Sequence, residues 1–301
     1  MRKLWAAVVA GVVVSTLAAP QASATGNVMN VVALGDSSAS GAGAGDYLDG
    51  TGTPGGCWRS ANSYSANLVP HLRANGRTVN FTNVTCSGAE IPDLRQQFKG
   101  QPPQLDSLKK DTNVVFLTVG ANDIALADYG GLCIQAACEG APTDAVLQRM
   151  DALGKSMIGL LSEIGKRSPY AKVVVTGYGR QMIPGENAPN VPLDPICGPG
   201  IITTPEREGG STIATKLDAT LRLATVVSRW NRVNSVYVSQ FAKPGELTPE
   251  FSGHSLCEAN VPYYRGFDAL APGQEGPEAV LHLNKPGHAT LAALIKRKLH
   301  S

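Results

Sequence analysis

Short apolar runs recur along the chain, and stretches with helical spacing separate them. The first run, VMNVVAL at Val28–Leu34, is rich in β-branched residues and stops at Gly35, which is typical of a strand buried on both faces. Four further runs predict strands at Val79–Val84, Val114–Val119, Lys172–Thr176 and Val233–Val238. Helices are predicted at Ser60–Ala74, Asp144–Arg167, Thr212–Arg229 and His288–Leu299. This alternation predicts an α/β protein of three layers, α/β/α, with a central, mostly parallel five-stranded sheet.

Two segments interrupt this rhythm. Gly41–Gly56 is rich in glycine, and Pro184–Pro205 is rich in proline and glycine. Both are predicted to be long surface loops. The second loop contains Cys197. A surface loop held in place by a disulfide bond is a simpler interpretation of it than a substrate-binding role.

The N-terminus has the pattern of a secretory signal peptide. Arg2 and Lys3 precede an apolar stretch over Leu4–Ala19, and Ala22-Ser23-Ala24 follows, so we expect cleavage after Ala24. Residues 1–24 are then the signal peptide, and residues 25–301 form a single secreted domain. Because no other stretch is apolar over the ~18 residues of a spanning helix, we expect no integral membrane association.

The charge balance narrows the choice of partners. The chain has 26 Lys and Arg against 24 Asp and Glu. The signal segment contains two basic and no acidic residues, so the secreted chain is formally neutral. It therefore lacks the basic surface that nucleic acids require. With 43% apolar residues, the domain can bury its own core, and we expect a monomer.

An even number of cysteines in an exported chain predicts disulfides. Spacing alone cannot choose among the pairings of six cysteines, although pairing of sequence neighbours is the simplest. A zinc site is the competing interpretation, but the chain has no C-x-x-C spacing and few nearby histidines. The cysteines are Cys57, Cys86, Cys133, Cys138, Cys197 and Cys257.

Polar groups suited to acyl transfer follow the predicted strands. In an open parallel sheet, ligands bind beyond the carboxyl ends of the strands. The segments there are GDSS from Gly35, CSGA from Cys86 and GAND from Gly120, and LHLNKPGH from Leu281 leads into the last helix. Together they supply a hydroxyl nucleophile, an imidazole and hydrogen-bond donors for an oxyanion.

These blocks resemble the SGNH hydrolases, also called GDSL esterases and lipases, and in particular their secreted actinobacterial branch. The four blocks occur in the family's order, and CWRSANSY and FSGHSLC also resemble that branch. They read GDSSASGAG, TCSGAEIPDL, VGAND and HLNKPGH. The resemblance implies a flavodoxin-like fold and three sequential disulfides, Cys57 with Cys86, Cys133 with Cys138 and Cys197 with Cys257.

The resemblance also implies the role of each site residue. Ser37 is the nucleophile and His282 is the general base. The oxyanion hole consists of the backbone N–H groups of Ser37 and Gly88 and the side-chain amide of Asn122. No metal or organic cofactor is implied.

The chain departs from the family's pattern next to the histidine. The family has Asp three positions before it, where this chain has Ala279, and Glu278 lies one residue further back. Either Glu278 reaches the imidazole or the Ala279 carbonyl accepts the Nδ1–H bond, and we favour the carbonyl. Leu283 also replaces the proline of the usual H-P-N block, whereas Asn284 is retained.

Other polar residues have less specific interpretations. His288 competes with His282 as the base, but its position at the start of the last helix favours a packing role. Asp36 and Asp123 are expected to accept backbone N–H bonds that hold their loops. None of His71, His254 and His300 has the spacing of a metal-binding pair. The sequence assigns no role to Asn62, Ser87 or Arg59.

The sequence thus predicts a secreted serine hydrolase that cleaves fatty acyl esters. A phospholipase or a polysaccharide deacetylase would use the same groups, and a non-catalytic glycan-binding or lipid-binding module is a rival of another class. A nucleotide-binding protein is disfavoured because the glycine-rich stretch after the first strand, Gly35–Gly45, contains no G-x-G-x-x-G and no P-loop motif follows. An α/β-hydrolase is disfavoured because the chain has no G-x-S-x-G. Apolar residues near the blocks belong either to an acyl pocket or to the core: Ile91, Ile124, Leu126, Leu281 and Leu283.

Overall fold

The structure, a computed structural model, describes residues 28–48 and 50–299. The predicted signal peptide, residues 1–24, and His300 lie outside the described residues.

Seven strands and seven α-helices make up the described chain. The strands are β1 (Val28–Gly35), β2 (Thr78–Asn83), β3 (Thr112–Thr118), β4 (Lys172–Thr176), β5 (Ser235–Val238), β6 (Phe241–Lys243) and β7 (Glu246–Leu247). The helices are α1 (Ser37–Ser40), α2 (Tyr64–Leu72), α3 (Leu126–Gln135), α4 (Ala141–Leu147), α5 (Met150–Arg167), α6 (Thr204–Trp230) and α7 (Lys285–Leu299).

The first five strands form one parallel sheet in the order β2-β1-β3-β4-β5. Each predicted strand is present within two residues of its predicted bounds, so the predicted five-stranded sheet is confirmed. The chain leaves β1 toward one edge of the sheet and β3 toward the other. The crevice between the ends of β1 and β3 is therefore the topological switch point, where ligands bind in folds of this kind.

Helices cover both faces of the sheet. Crossovers between parallel strands are right-handed, so the opposite directions of the β1–β2 and β3–β4–β5 connections put α2 on one face and α5 and α6 on the other. α7 packs against α2, and α5 packs against α6. The inner strands β1, β3 and β4 are largely buried between these layers, as in Val31, Leu34, Phe116 and Val174, whereas the edge strand β2 is mostly exposed.

The helices differ more from the sequence-based expectation than the strands do. The predicted helix over Asp144–Arg167 is two helices, α4 and α5, and α6 begins eight residues before the predicted Thr212. Pro205 occupies the first turn of α6, where no N–H partner is needed, and Thr203 and Glu206 form a capping box. Pro205 in the first turn and Gly209 and Gly210 in the next give the start of α6 the composition of a loop. The helix α3 and the β6–β7 hairpin have no counterpart in the sequence-based prediction.

Three disulfides join sequence neighbours, Cys57 to Cys86, Cys133 to Cys138 and Cys197 to Cys257. This is the pairing that the family resemblance implies, and it leaves none of the six cysteines as a thiolate ligand for zinc. The predicted loop at Gly41–Gly56 contains no strand or helix in its described residues.

Candidate active site

The turn after β1 presents Ser37 at the switch point. Gly35 has a φ of 131°, and a Cβ there would lie 1.9 Å from the Thr118 carbonyl oxygen, so only glycine fits between the ends of β1 and β3. The buried Gln104 side chain accepts from the Gly35 N–H at 2.7 Å and donates to its carbonyl at 3.0 Å. The strand end is therefore held from both sides, and Ser37 begins the short helix α1 directly after it.

Ser37 and His282 are in hydrogen-bond contact although 245 residues separate them. The distance from Ser37 Oγ to His282 Nε2 is 2.7 Å. On the other side of the ring, His282 Nδ1 lies 3.1 Å from the Val280 carbonyl oxygen. Because a carbonyl only accepts, Nδ1 carries the ring proton, and Nε2 is free to accept the proton of Ser37. This is the geometry of a hydroxyl activated by a general base.

The expectation that the Ala279 carbonyl accepts the Nδ1–H bond is wrong, because the carbonyl at that position belongs to Val280. Pro277–Ala279 form a 3₁₀ turn, and the Ala279 carbonyl accepts the backbone N–H of His282 at 3.1 Å. Leu281 then adopts a φ of 63°, and this local geometry brings the Val280 carbonyl to the ring. Glu278 has no hydrogen bond to His282 in the described part of the chain.

Three residues with candidate hydrogen-bond donors, Ser37, Gly88 and Asn122, line the same cavity. Within the described residues, the backbone N–H groups of Ser37 and Gly88 have no protein acceptor, and the φ of Gly88 is 85°. The Asn122 amide donates to the Ala89 carbonyl at 3.0 Å. Since an amide nitrogen carries two hydrogens, this bond orients the side chain and leaves its second N–H available to the cavity that Asn122 lines. The set suits a developing oxyanion.

Burial favours the neutral form of the His282 ring. Desolvation lowers its pKa below the ordinary 6.5, and the hydrogen bond to the Val280 carbonyl acts in the opposite direction. The ring is therefore unprotonated, and able to act as a base, at neutral pH.

Two carboxylates hold the loops that carry these groups, as their positions predict. Asp36 accepts the Ser38 N–H at 2.9 Å, and Asp123 accepts the Ile91 N–H at 3.1 Å. Burial raises the pKa of Asp36 to about 7 and that of Asp123 to about 6. Neither carboxylate makes a hydrogen bond to Ser37 or His282 within the described residues.

Tyr178 is a site residue that sequence reasoning misses. Its buried hydroxyl donates to Asp36 Oδ2 at 2.5 Å and accepts the Ala121 N–H at 3.1 Å. It thereby connects the loop of Ser37 with the loop of Asn122. The sequence does contain a signal, because Tyr178 follows the predicted strand Lys172–Thr176 by two residues, at the same edge of the sheet as the other site residues.

His288 does not face the candidate nucleophile. It is completely buried, its Nδ1 accepts the Tyr64 N–H at 3.2 Å, and its ring stacks on that of Tyr64. Burial, with the proximity of His282, lowers its pKa to about 3. His288 is thus a neutral packing residue.

The remaining polar candidates lie mostly outside the reacting centre. The His254 ring stacks on Tyr263, and His71 lies in α2. Asn62 and Arg59 hold backbone carbonyls, those of Ala44 and Thr85 respectively. Ser87 is different, because it lines the cavity next to Gly88.

A cavity of about 560 Å³ opens next to Ser37 and His282. Of the apolar candidates, Leu126 and Leu281 line it, whereas Ile91, Ile124 and Leu283 are buried core residues. The volume is that of a typical small-molecule site. Most of its lining surface is apolar, so it suits a hydrocarbon chain.

The described residues contain neither a membrane span nor a metal-binding cluster. No helix among them is long and apolar enough to cross a membrane. No group of three or more His, Cys, Asp or Glu side chains in residues 28–48 and 50–299 is arranged to hold a metal ion.

The parallel α/β/α fold, with a serine and a histidine in contact at its switch point, defines the SGNH class of proteins. More particularly, residues 33–290 match the GDSL-like Lipase/Acylhydrolase family, and the chain belongs to that family. The family resemblance drawn from the four sequence blocks is therefore confirmed.

Named relatives come from Streptomyces. The chain is 34% identical over 169 residues to a lipase of Streptomyces rimosus, a match that covers 55% of this chain and 57% of the relative. It is 31% identical over 175 residues to lipase 1 of Streptomyces coelicolor, covering 57% of this chain and 60% of the relative. The matched segments thus span less than two thirds of these relatives.

Solved structures confirm the fold class. An extracellular lipase from Streptomyces rimosus superposes with a TM-score of 0.65 at 24% identity, covering 89% of this chain and 99% of that chain. A phospholipase A1 from Streptomyces albidoflavus superposes with a TM-score of 0.67 at 23% identity, covering 90% and 99%.

Proposed function

We propose that the protein is a secreted carboxylic ester hydrolase that acts on fatty acyl esters as a lipase or esterase. The observation that carries the proposal is the 2.7 Å contact between Ser37 Oγ and His282 Nε2 at the mouth of a largely apolar cavity. Family membership and the named Streptomyces lipases support the reaction class. The signal-like residues 1–24 support secretion, with residues 25–301 as the mature domain.

The reaction proceeds in two stages. His282 Nε2 takes the proton of Ser37 as Oγ attacks the ester carbonyl carbon, and the resulting oxyanion accepts hydrogen bonds from the Ser37 and Gly88 N–H groups and the Asn122 amide. His282 then returns the proton to the departing alcohol, which leaves an acyl ester on Ser37. Water, deprotonated by His282, attacks that ester, releases the carboxylic acid and restores the hydroxyl.

The size of the cavity favours a fatty acyl group over an acetyl group. An acetyl group would leave most of the 560 Å³ unfilled, whereas a longer chain gains ~0.8 kcal/mol for each buried methylene. Long acyl esters of glycerol or of simple alcohols are therefore better candidates than acetylated polysaccharides.

Replacement of Ser37 by alanine tests the proposal. We expect Ser37→Ala to reduce kcat on p-nitrophenyl butyrate by ~10⁴-fold or more and to abolish covalent labelling by a fluorophosphonate. Ser38→Ala is the matched control, because its hydroxyl has no hydrogen bond to His282, and it should still be labelled. Labelling that persists in Ser37→Ala would reject Ser37 as the nucleophile.

A further inference from the structure

The cavity extends well beyond the atoms that would react. One wall is α3, which begins four residues after Asn122, and the first turns of α6 also line the cavity. At 1.5 Å per residue, the ten residues of α3 give this wall a length of about 15 Å. The α3 wall is mostly apolar, so the group it suits is the apolar part of a fatty ester, its acyl chain. On α6 the side chains around Gly210 that line the cavity are polar, those of Glu206, Arg207 and Ser211.

Two glycines in these walls have no packing reason to lack a side chain. Gly131 in α3 and Gly210 in α6 have negative φ, and a Cβ at either would meet no protein atom within 4 Å. Their neighbours differ. A Cβ at Gly130 would lie 3.1 Å from Leu281 Cδ1, and one at Gly209 would lie 2.8 Å from Thr143 Oγ1. Glycine inside a helix is less favourable than alanine, so neither position is explained by helix stability.

Both glycines lie on the cavity face of their helices. On α3, Ala127, Ile134 and Gln135 are four before, three after and four after Gly131, and all three line the cavity. On α6, the same holds for Glu206 and Arg207, four and three residues before Gly210. Residues three and four apart share a helix face. Side chains at positions 131 and 210 would therefore project into the cavity.

We propose that Gly131 and Gly210 set the length of acyl chain that the cavity accepts. The space that their missing side chains leave open holds the methylene groups furthest from the ester. This inference rests on the proposed function, and it defines the substrate class as esters of long acyl chains.

Acyl-chain length is the variable that tests the inference. The probes are p-nitrophenyl esters from acetate through butyrate and octanoate to laurate, which share one leaving group. For the wild type, kcat/KM should rise by about fourfold for each added methylene, the equivalent of ~0.8 kcal/mol, until the cavity is full. We expect Gly131→Leu and Gly210→Leu to lower the ratio of kcat/KM on laurate to that on butyrate by about tenfold or more, which is the loss of two or more buried methylenes. The smaller Gly131→Ala should lower it less.

A matched control separates cavity filling from a general effect of the substitution. Gly159 is an exposed glycine of α5, where a Cβ also meets nothing within 4 Å, and it does not line the cavity. Gly159→Leu should leave the ratio at its wild-type value. Because leucine is a better helix former than glycine, the Tm of all three leucine variants should equal or exceed that of the wild type.

The outcomes distinguish this inference from the proposed function. Failure of the wild type to hydrolyse any ester would count against the proposed function itself. Hydrolysis with an unchanged laurate-to-butyrate ratio in folded Gly131→Leu and Gly210→Leu would overturn only the role of the glycines. That role would also be overturned if both variants altered selection among butyrate esters of different alcohols and left the acyl series unchanged.

Discussion

At the scale of single residues, His282 is oriented by a carbonyl where the family has a carboxylate. The Val280 oxygen fixes the tautomer, as its 3.1 Å distance from Nδ1 shows. A carbonyl carries only a partial negative charge, so it stabilises an imidazolium less than a carboxylate does. Among the described residues, no carboxylate makes a hydrogen bond to the ring, and burial lowers its pKa.

The pH dependence of activity follows from this arrangement. Only the neutral His282 can accept the Ser37 proton, so kcat/KM should rise with pH through the pKa of His282 in the free enzyme. Because desolvation lowers that pKa, the midpoint should lie below the ordinary value of 6.5. Steady-state kinetics on a short soluble ester between pH 4 and pH 8 measure it. A midpoint above 6.5 would show that burial does not lower the pKa of His282.

Glu278→Ala separates the two candidate partners of the imidazole. Since Glu278 makes no hydrogen bond to His282 within the described residues, kcat should fall by less than about tenfold and the midpoint should stay in place. A carboxylate that interacted with the ring would raise its pKa, so its loss would move the midpoint down. That shift, or a loss of ~10³-fold in kcat, would make Glu278 the partner.

Much of the residue-scale arrangement is visible in the sequence. The motifs alone point to Ser37, Gly88, Asn122 and His282, and the structure brings all four to one cavity. They do not point to Val280, because the choice of carbonyl depends on a 3₁₀ turn and on the positive φ of Leu281. A positive φ is uncommon for any residue other than glycine, so a leucine in the sequence gives no indication of it.

At the scale of elements, strands are easier to predict than helices for a physical reason. The inner strands β1, β3 and β4 are largely buried on both faces and leave apolar runs, whereas the edge strand β2, TVNFTN, is mostly exposed. The helix α3 is not recognisable in the sequence. Gly130 and Gly131 interrupt the helical spacing of its apolar residues, and its N-cap, Ala125, provides no side-chain hydrogen bond. Of these two glycines, Gly131 is the one whose missing side chain leaves open space beside the cavity.

The disulfides should differ in their contribution to stability according to the loops they close. Cys197–Cys257 spans 60 residues and Cys133–Cys138 spans five. Loop-closure entropy in the unfolded chain then gives about 4 kcal/mol for the first and about 2 kcal/mol for the second. Urea unfolding of Cys197→Ala/Cys257→Ala and Cys133→Ala/Cys138→Ala should show the larger loss for the first pair.

Burial does not confound this comparison, because all four of these cysteines are buried. Removal of the sulfur atoms therefore has a similar packing cost in both double variants. Equal losses, or a larger loss for the short loop, would show that native contacts around the bridges outweigh the entropy of the unfolded chain.

At the scale of the whole molecule, one buried carboxyl group joins three strand ends. Asp36 follows β1, and Tyr178, which follows β4, bonds both Asp36 and the Ala121 backbone beyond β3. Asp36 is completely buried, and desolvation raises its pKa to about 7, whereas the Tyr178 hydrogen bond acts to lower it. The folded protein thus holds a proton at Asp36 that the unfolded chain releases at a much lower pH.

This difference predicts that part of the free energy of unfolding is lost as the pH rises. The unfolded carboxyl has a pKa near the ordinary 3.8, and the folded one near 7, so between these values the native state binds more protons. Its contribution is complete below pH 4 and disappears as the pH rises to about 7, by up to about 4 kcal/mol in total. The asparagine of Asp36→Asn cannot ionise, so this variant should not lose that part of its free energy of unfolding. Between pH 4 and pH 8 its free energy of unfolding should therefore rise relative to that of the wild type.

Tyr178→Phe supplies the opposite case. Loss of the hydroxyl removes a hydrogen bond that favours the ionised carboxylate, so the pKa of Asp36 rises further. The loss of unfolding free energy should then continue to higher pH, with a larger decrease between pH 6 and pH 8 than in the wild type. Urea unfolding at pH 4, 6 and 8 gives both slopes, and comparing slopes removes the pH-independent cost of each substitution. Parallel curves for wild type, Asp36→Asn and Tyr178→Phe would mean that Asp36 is ionised throughout the range. The strand ends would then be joined by a buried anion rather than by a carboxyl group that titrates near neutral pH.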